Sequence, residues 1–207
     1  MGLAMRRSCA LLLALAGAAA GGQEPAPDPP EQARVAFRVV TFSELLGVAP
    51  APGIGFPVEI PAHLRERRAS SSTTGALLWA EPADWGLIRH GRAASGRNGM
   101  IVVQRSGSLR YDAARDQFAD GTGLDERNLP ERLGRQGARG VVVRRLGGTE
   151  PPMLLLEAEL KGGEHLRVLY VQLGARARSV SYIGHTPWDA RDDLAWSRLR
   201  DGAAAPR

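Results

Sequence analysis

The chain has 207 residues, a formal charge of +5 at neutral pH and a single cysteine, Cys9. One thiol can form neither an internal disulfide nor a multi-cysteine metal site, so stability has to come from a buried core, for which this length suffices. All but one of the 27 basic residues are arginine, yet they form no basic stripe interleaved with aromatic residues, which argues against a nucleic-acid surface.

The N-terminus has the pattern of a secretory signal. Arg6 and Arg7 precede an apolar run from Cys9 to Gly17, and Ala18-Ala19-Ala20 offers small residues for cleavage. The run is shorter than the ~20 residues of a membrane helix. No longer one follows, so the expectation is a secreted or periplasmic protein, not transmembrane, cleaved near Ala20. The residues around Arg6-Arg7 fit a twin-arginine signal poorly, and Cys9 precedes the apolar core rather than following it as a lipid-bearing cysteine would. Removing Arg6 and Arg7 lowers the formal charge to +3. Residues 21–33, beginning GGQEPAPDPPE, form an acidic, proline-rich stretch expected to be a disordered linker. A single α+β domain is expected over 34–202, with a disordered tail at 203–207.

RVAFRVVTF (34–42) reads as a strand, and SELLG as one helical turn capped by Ser43 and stopped by Gly47. A short extended piece is expected around Val58 to Ile60. HLRERRASSSTT carries no core pattern and reads as an exposed segment. ALLWA (76–80), GLIRH (86–90) and MIVVQ (100–104) read as strands, the last continuing into SLRY. DAARDQFADGTGLDER is too rich in turn residues to assign. NLPERLGRQ reads as a short helix, with Asn128 as cap and Pro130 in its first turn.

Four strands follow in a row: VVVRR (141–145), MLLLEAEL (153–160), HLRVLYVQL (165–173) and SVSYI (179–183). Their short, Gly-containing connections imply antiparallel pairing, because a parallel crossover needs a dozen or more residues. In HLRVLYVQL, Leu166, Val168 and Tyr170 fall on one face and Leu169, Val171 and Leu173 on the other. A strand apolar on both faces is covered on both faces. The chain ends in an amphipathic helix from about Pro187 to Arg200, with Thr186 as cap, Asp189 as capping-box acid and Gly202 as stop. Trp188, Ala195, Trp196 and Leu199 share its expected packing face. The fold class is therefore α+β: a mainly antiparallel sheet with helices packed on it and a C-terminal amphipathic helix.

Two stretches could carry chemistry. Leu87-Ile88-Arg89-His90-Gly91 runs an apolar strand into Arg-His-Gly, and SVSYIGHTP places His185 at a later strand end before a helix. This arrangement resembles the histidine phosphatases. The resemblance implies that His90 is the phosphoryl-accepting nucleophile, with Arg89 and His185 holding the phosphate oxygens. Such chemistry needs a neutral imidazole to attack phosphorus and cationic donors to stabilise the equatorial charge. Three features depart from that family. PPMLLLEAELKGGEHL reads as a hairpin where a helix with a second phosphate-binding arginine belongs. MIVVQRSGSLRY alternates like a strand where helix is expected. Hairpin-linked strands also make no parallel sheet.

Other constellations are weaker. His63 and His165 have no partner at metal-ligand spacing. Asp189, Asp192 and Asp193 suit the dipole at a helix N-terminus better than a cation site. Asp112, Asp116, Asp120 and Asp125 do not match an EF-hand loop. Arg89, Arg92 and Arg97 in GRAASGRNG form the best anion-binding candidate. The four tryptophans, at 79, 85, 188 and 196, read as core. No metal and no cofactor are expected.

The element order over Ile54 to Gly202, with its FPVEIP strand, antiparallel strands and final helix carrying aspartate and tryptophan, is similar to the PsbP-like α/β/α sandwich proteins. That resemblance implies a non-enzymatic accessory or binding role. The first expectation is accordingly a secreted or periplasmic protein acting on a partner protein or envelope component. The alternative is a divergent phosphohydrolase using His90.

Overall fold

The computed structural model describes residues 35–68, 77–82, 99–104, 109–146, 150–185 and 187–205. The signal-like segment, the linker, the GLIRH strand and Thr186 lie outside them.

The chain begins with strand β1 (Phe37–Thr41), helix α1 (Phe42–Leu46) and strand β2 (Pro57–Pro61), with β1 and β2 paired antiparallel. The α1 turn forms where expected, but its cap is Thr41, whose hydroxyl accepts the Glu44 N–H at 3.2 Å. Ser43 is 1 % exposed, so its side chain belongs to the interior. Gly47 ends the turn at φ 63°, a left-handed conformation that suits glycine.

Next come β3 (Arg65–Arg68), β4 (Leu77–Ala80), β5 (Met100–Gln104) and a small hairpin, β6 (Arg110–Asp112) and β7 (Gln117–Ala119). Helix α2 (Leu129–Arg135) and strands β8 (Arg139–Leu146), β9 (Met153–Glu159), β10 (His165–Leu173) and β11 (Arg176–Ile183) follow. Helix α3 (Ala190–Ala204) closes the chain. One seven-stranded sheet has the order β3-β4-β5-β11-β10-β9-β8, and every neighbouring pair in it is antiparallel. The architecture is α+β, as the patterning predicts.

The two-faced character of β10 is realised residue by residue. Leu169 and Val171 enter a core with Leu45, Val58, Ile60, Trp79, Val180, Trp196 and Leu199, beneath α1, α3 and the β1–β2 hairpin. Leu166, Val168 and Tyr170 enter a second core with Leu109, Phe118 and Leu129, beneath the β6–β7 hairpin and α2. The covering layers thus include small sheets as well as helices.

Several expectations need correction. Arg65–Arg68 is a sheet strand at the edge of the described order, and Leu64 before it is fully buried. Four charged residues hide a strand from any apolar pattern, and edge strands are where such residues are tolerated. SLRY does not prolong β5: Arg110–Asp112 pairs with Gln117–Ala119 in a separate sheet, because Leu109 and Phe118 are drawn into the second core. Asn128 makes no side-chain cap on α2; its amide carbonyl accepts the Asp125 N–H at 3.0 Å. The last helix starts at Ala190 with Asp189 as its N-cap, so Pro187 and Trp188 precede it. It runs past Gly202 to Ala204, and Ala203 is fully buried, so residues 203 and 204 belong to the helix rather than to a tail.

Candidate functional site

A buried polar cluster lies where β11 hands over to α3. Asp189 and Asp192 form a reciprocal capping box. The Asp189 carboxylate accepts the Asp192 N–H at 3.4 Å, and Asp192 Oδ2 accepts the Asp189 N–H at 3.1 Å; the Arg191 N–H adds a third bond to Asp189 at 2.8 Å. Because Asp192 also sits one turn before Ala195 and Trp196, the helix turns it toward the sheet, and it has no exposure at all.

A fully buried carboxylate needs donors on both oxygens. Asp192 Oδ1 accepts the Tyr182 hydroxyl at 2.9 Å and His185 Nδ1–H at 2.7 Å. Oδ2 accepts the His185 backbone N–H at 3.0 Å as well as that of Asp189. Two strand-side residues and the helix cap are thereby joined through one side chain. Burial, and then the negative charge of Asp192, push the Tyr182 phenol well above its ordinary range, so it stays protonated and donates. The backbone is shaped to admit this junction. A Cβ on Gly184 would strike the Trp188 ring and the Asp192 carboxyl carbon, and one on Gly99 would strike the Tyr182 hydroxyl.

His185 is 14 % exposed at its side chain. With Nδ1 donating to Asp192, the neutral form of the ring keeps its lone pair on Nε2, so the carboxylate selects that tautomer and fixes the ring orientation. An imidazole held in this way can accept a proton or a hydrogen bond at Nε2. The Arg191 guanidinium beside Asp189, at 2.6 Å, holds that carboxyl below the usual carboxylate range despite partial burial.

Trp188 extends the cluster onto β10. Its indole stacks on His165 with centroids 4.4 Å apart and planes 20° apart, and meets Tyr182 edge-on at 5.7 Å. The Arg167 guanidinium lies 5.2 Å from the same ring, and Trp188 Nε1–H donates to Asp193 at 2.8 Å. Trp188 therefore caps this junction from the connection before the helix, while still packing against the core that Ala195, Trp196 and Leu199 enter.

His185, Asp189 and Asp192 each offer a ligand atom, and those atoms lie within 4.8 Å of one another. The donor chemistry favours hydrogen bonding over metal binding. A cation would have to compete with the donors that already fill both oxygens of Asp192, and with Arg191 at Asp189.

Of the residues named from sequence, His185 lies in this cluster; Arg89, His90, Arg92 and Arg97 lie outside the described residues. His63 lies in the turn between β2 and β3, and His165 joins the cluster through Trp188. Asp192 does stand in the first turn of the helix, as the dipole reading expects, but it is also the buried hub of the cluster, and no sequence pattern points to Tyr182. The signal for Asp192 was present. Positions 192, 195, 196, 199 and 203 make one continuous buried stripe, so an aspartate starts an otherwise apolar face. Neither a family model nor a curated protein matches the chain.

Proposed function

We propose that the protein acts outside the cytoplasm as a non-enzymatic accessory or binding protein, engaging a partner protein or envelope component. The observation that carries this reading is the β9–β10 hairpin, Met153–Leu173, in which Met153 pairs with Val171 and Glu159 with His165. It occupies the stretch where a histidine phosphatase would need a helix bearing its second phosphate-binding arginine. The antiparallel sheet and closing helix fit the PsbP-like element order, and the N-terminal pattern fits export. Among the described residues no helix is long and apolar enough to cross a membrane. His185, on this reading, fastens α3 to β11.

One observation favours a second reading. Asp192 presents His185 with a fixed tautomer, as a phosphohydrolase using His90 and Arg89 would require. A phosphomonoester assay on the exported chain, beside His90→Ala and His185→Ala, separates the two. The accessory role predicts turnover at background in all three proteins and retention of a specific partner after cross-linking in envelope fractions. Turnover in wild type that vanishes in His90→Ala overturns it in favour of the phosphohydrolase. Export is checked by N-terminal sequencing, with a mature start near Gly21 expected.

A further inference from the structure

The Trp188 stack has a donor–acceptor constraint that the junction around Asp192 does not explain. Arg167 NH2 lies 3.2 Å from His165 Nδ1. A guanidinium can only donate, so Nδ1 must carry the lone pair and the single ring proton sits on Nε2. The same guanidinium is held in place by NH1, which donates to the Ala158 carbonyl at 3.1 Å and the Leu166 carbonyl at 3.2 Å. Arginine does not deprotonate in proteins. The arrangement is therefore compatible with neutral His165 alone.

The surroundings act in the same direction on balance. Burial and then the Arg167 charge push the His165 imidazole below its ordinary range. Glu159, opposite it on β9, and Asp193 and Asp192 on α3 pull the other way but do not prevail. Trp188, the residue stacked on His165, sits in the short connection between β11 and α3, and its indole N–H is tied to Asp193 on the first turn of that helix. Whatever happens to His165 is thus felt where the last helix is attached to the sheet.

We propose that His165, Arg167 and Trp188 form an acid-sensitive latch, closed while His165 is neutral and released from strand β10 when His165 gains a proton. Protonation converts the Nδ1 acceptor into a donor aimed at a guanidinium, which removes one hydrogen bond and sets two cations side by side beneath the indole. The sign follows from linkage. A histidine titrating lower in the folded state than in the unfolded one contributes stability that is complete above the unfolded value of about 6.5 and is lost as pH falls through the folded value. The latch therefore loosens on acidification and is indifferent to alkali. This inference does not depend on the accessory role.

The test is an NMR pH titration of the full chain, following the His165 ring protons and the Trp188 indole N–H. The latch predicts that His165 titrates below about 6.5 and that the Trp188 signal moves with the same midpoint. In His165→Gln, whose amide oxygen can still accept from Arg167, Trp188 should lose its acid transition. In Arg167→Gln the His165 midpoint should rise, because a neighbouring positive charge is removed. A Trp188 signal that stays put through the His165 midpoint overturns the proposal. So does a Trp188 transition that persists at the same midpoint in His165→Gln, because a group other than His165, such as the Asp193 carboxylate that accepts the indole N–H, would then be moving the signal. The wild-type titration alone decides the first outcome, so the proposal stays testable if either variant fails to fold.

Discussion

On one face of the seven-stranded sheet, α3 is fastened by Asp192, a carboxylate with no exposure whose oxygens are filled by Tyr182, His185 and two backbone N–H groups. On the other face, the β6–β7 hairpin is fastened by Arg145 of β8, whose side chain is 32 % exposed. Arg145 grips Glu126 with Nε and NH2, reaches Asp116 at 2.7 Å, and lies 5.5 Å from the Tyr111 ring. Both devices tie a covering element to the sheet with a charged side chain, and the depth of the charge separates them. Inside the protein each donor lost to Asp192 leaves a polar group with no water to replace it. At the surface, solvent takes over when the arginine is removed, and salt screens what remains.

This contrast can be broken most directly at its buried end. Asp192→Ala strands the Tyr182 hydroxyl, the His185 ring and two backbone donors, so we expect a loss of about 3–5 kcal/mol in urea unfolding. That is comparable to truncating a fully buried core leucine such as Leu155 (0 % exposed). A loss below about 1 kcal/mol would mean that water reaches the junction, and the distinction between the faces would collapse.

Tyr182→Phe removes a single donor to that carboxylate and should cost about 1.5–3 kcal/mol. It also sharpens the comparison through pH. The phenol is held above its ordinary value, so its contribution is complete below about pH 10 and is lost as pH rises beyond it. Wild type should therefore lose stability in strong alkali more steeply than Tyr182→Phe. Parallel alkaline profiles would show that the hydroxyl does not sense Asp192.

The smallest effect belongs to the half-buried fastening nearer the surface. Arg145→Ala should cost about 1 kcal/mol or less, shrinking further as salt is raised. The hairpin also retains Leu109 and Phe118 in the second core, and the bond from the Tyr111 N–H to Gln172 of β10 at 3.0 Å. A salt-independent loss above about 2 kcal/mol would place Arg145 with the buried devices after all.

Legibility in the sequence follows the same division. The four hairpin-linked strands and the two faces of β10 could be read because apolar alternation is a local property that survives into the packed sheet. Arg65–Arg68 could not, since an edge strand of charged residues has no alternation to display. Thr41 and Asp189 took the capping roles expected of Ser43 and Thr186 because several polar residues compete at each helix start, and backbone geometry selects among them. At the candidate site, His185 was visible as a histidine at a strand end, but its partner was not. Asp192 looks like any acidic residue in the first turn of a helix until the helix is rotated against Tyr182.

The sequence alone determined what depends on neighbours along the chain: an α+β class, antiparallel pairing through short loops, and a closing helix whose apolar stripe marks its buried face. Tertiary structure decided what depends on neighbours across space. It turned an aspartate expected to face a helix dipole into a buried hub, and it brought His165 of β10 against a tryptophan in the connection between β11 and α3. Periodicity records which side of an element is covered. It carries no record of which distant donor will meet a carboxylate there, because that is fixed only when two elements choose their angle and depth of contact.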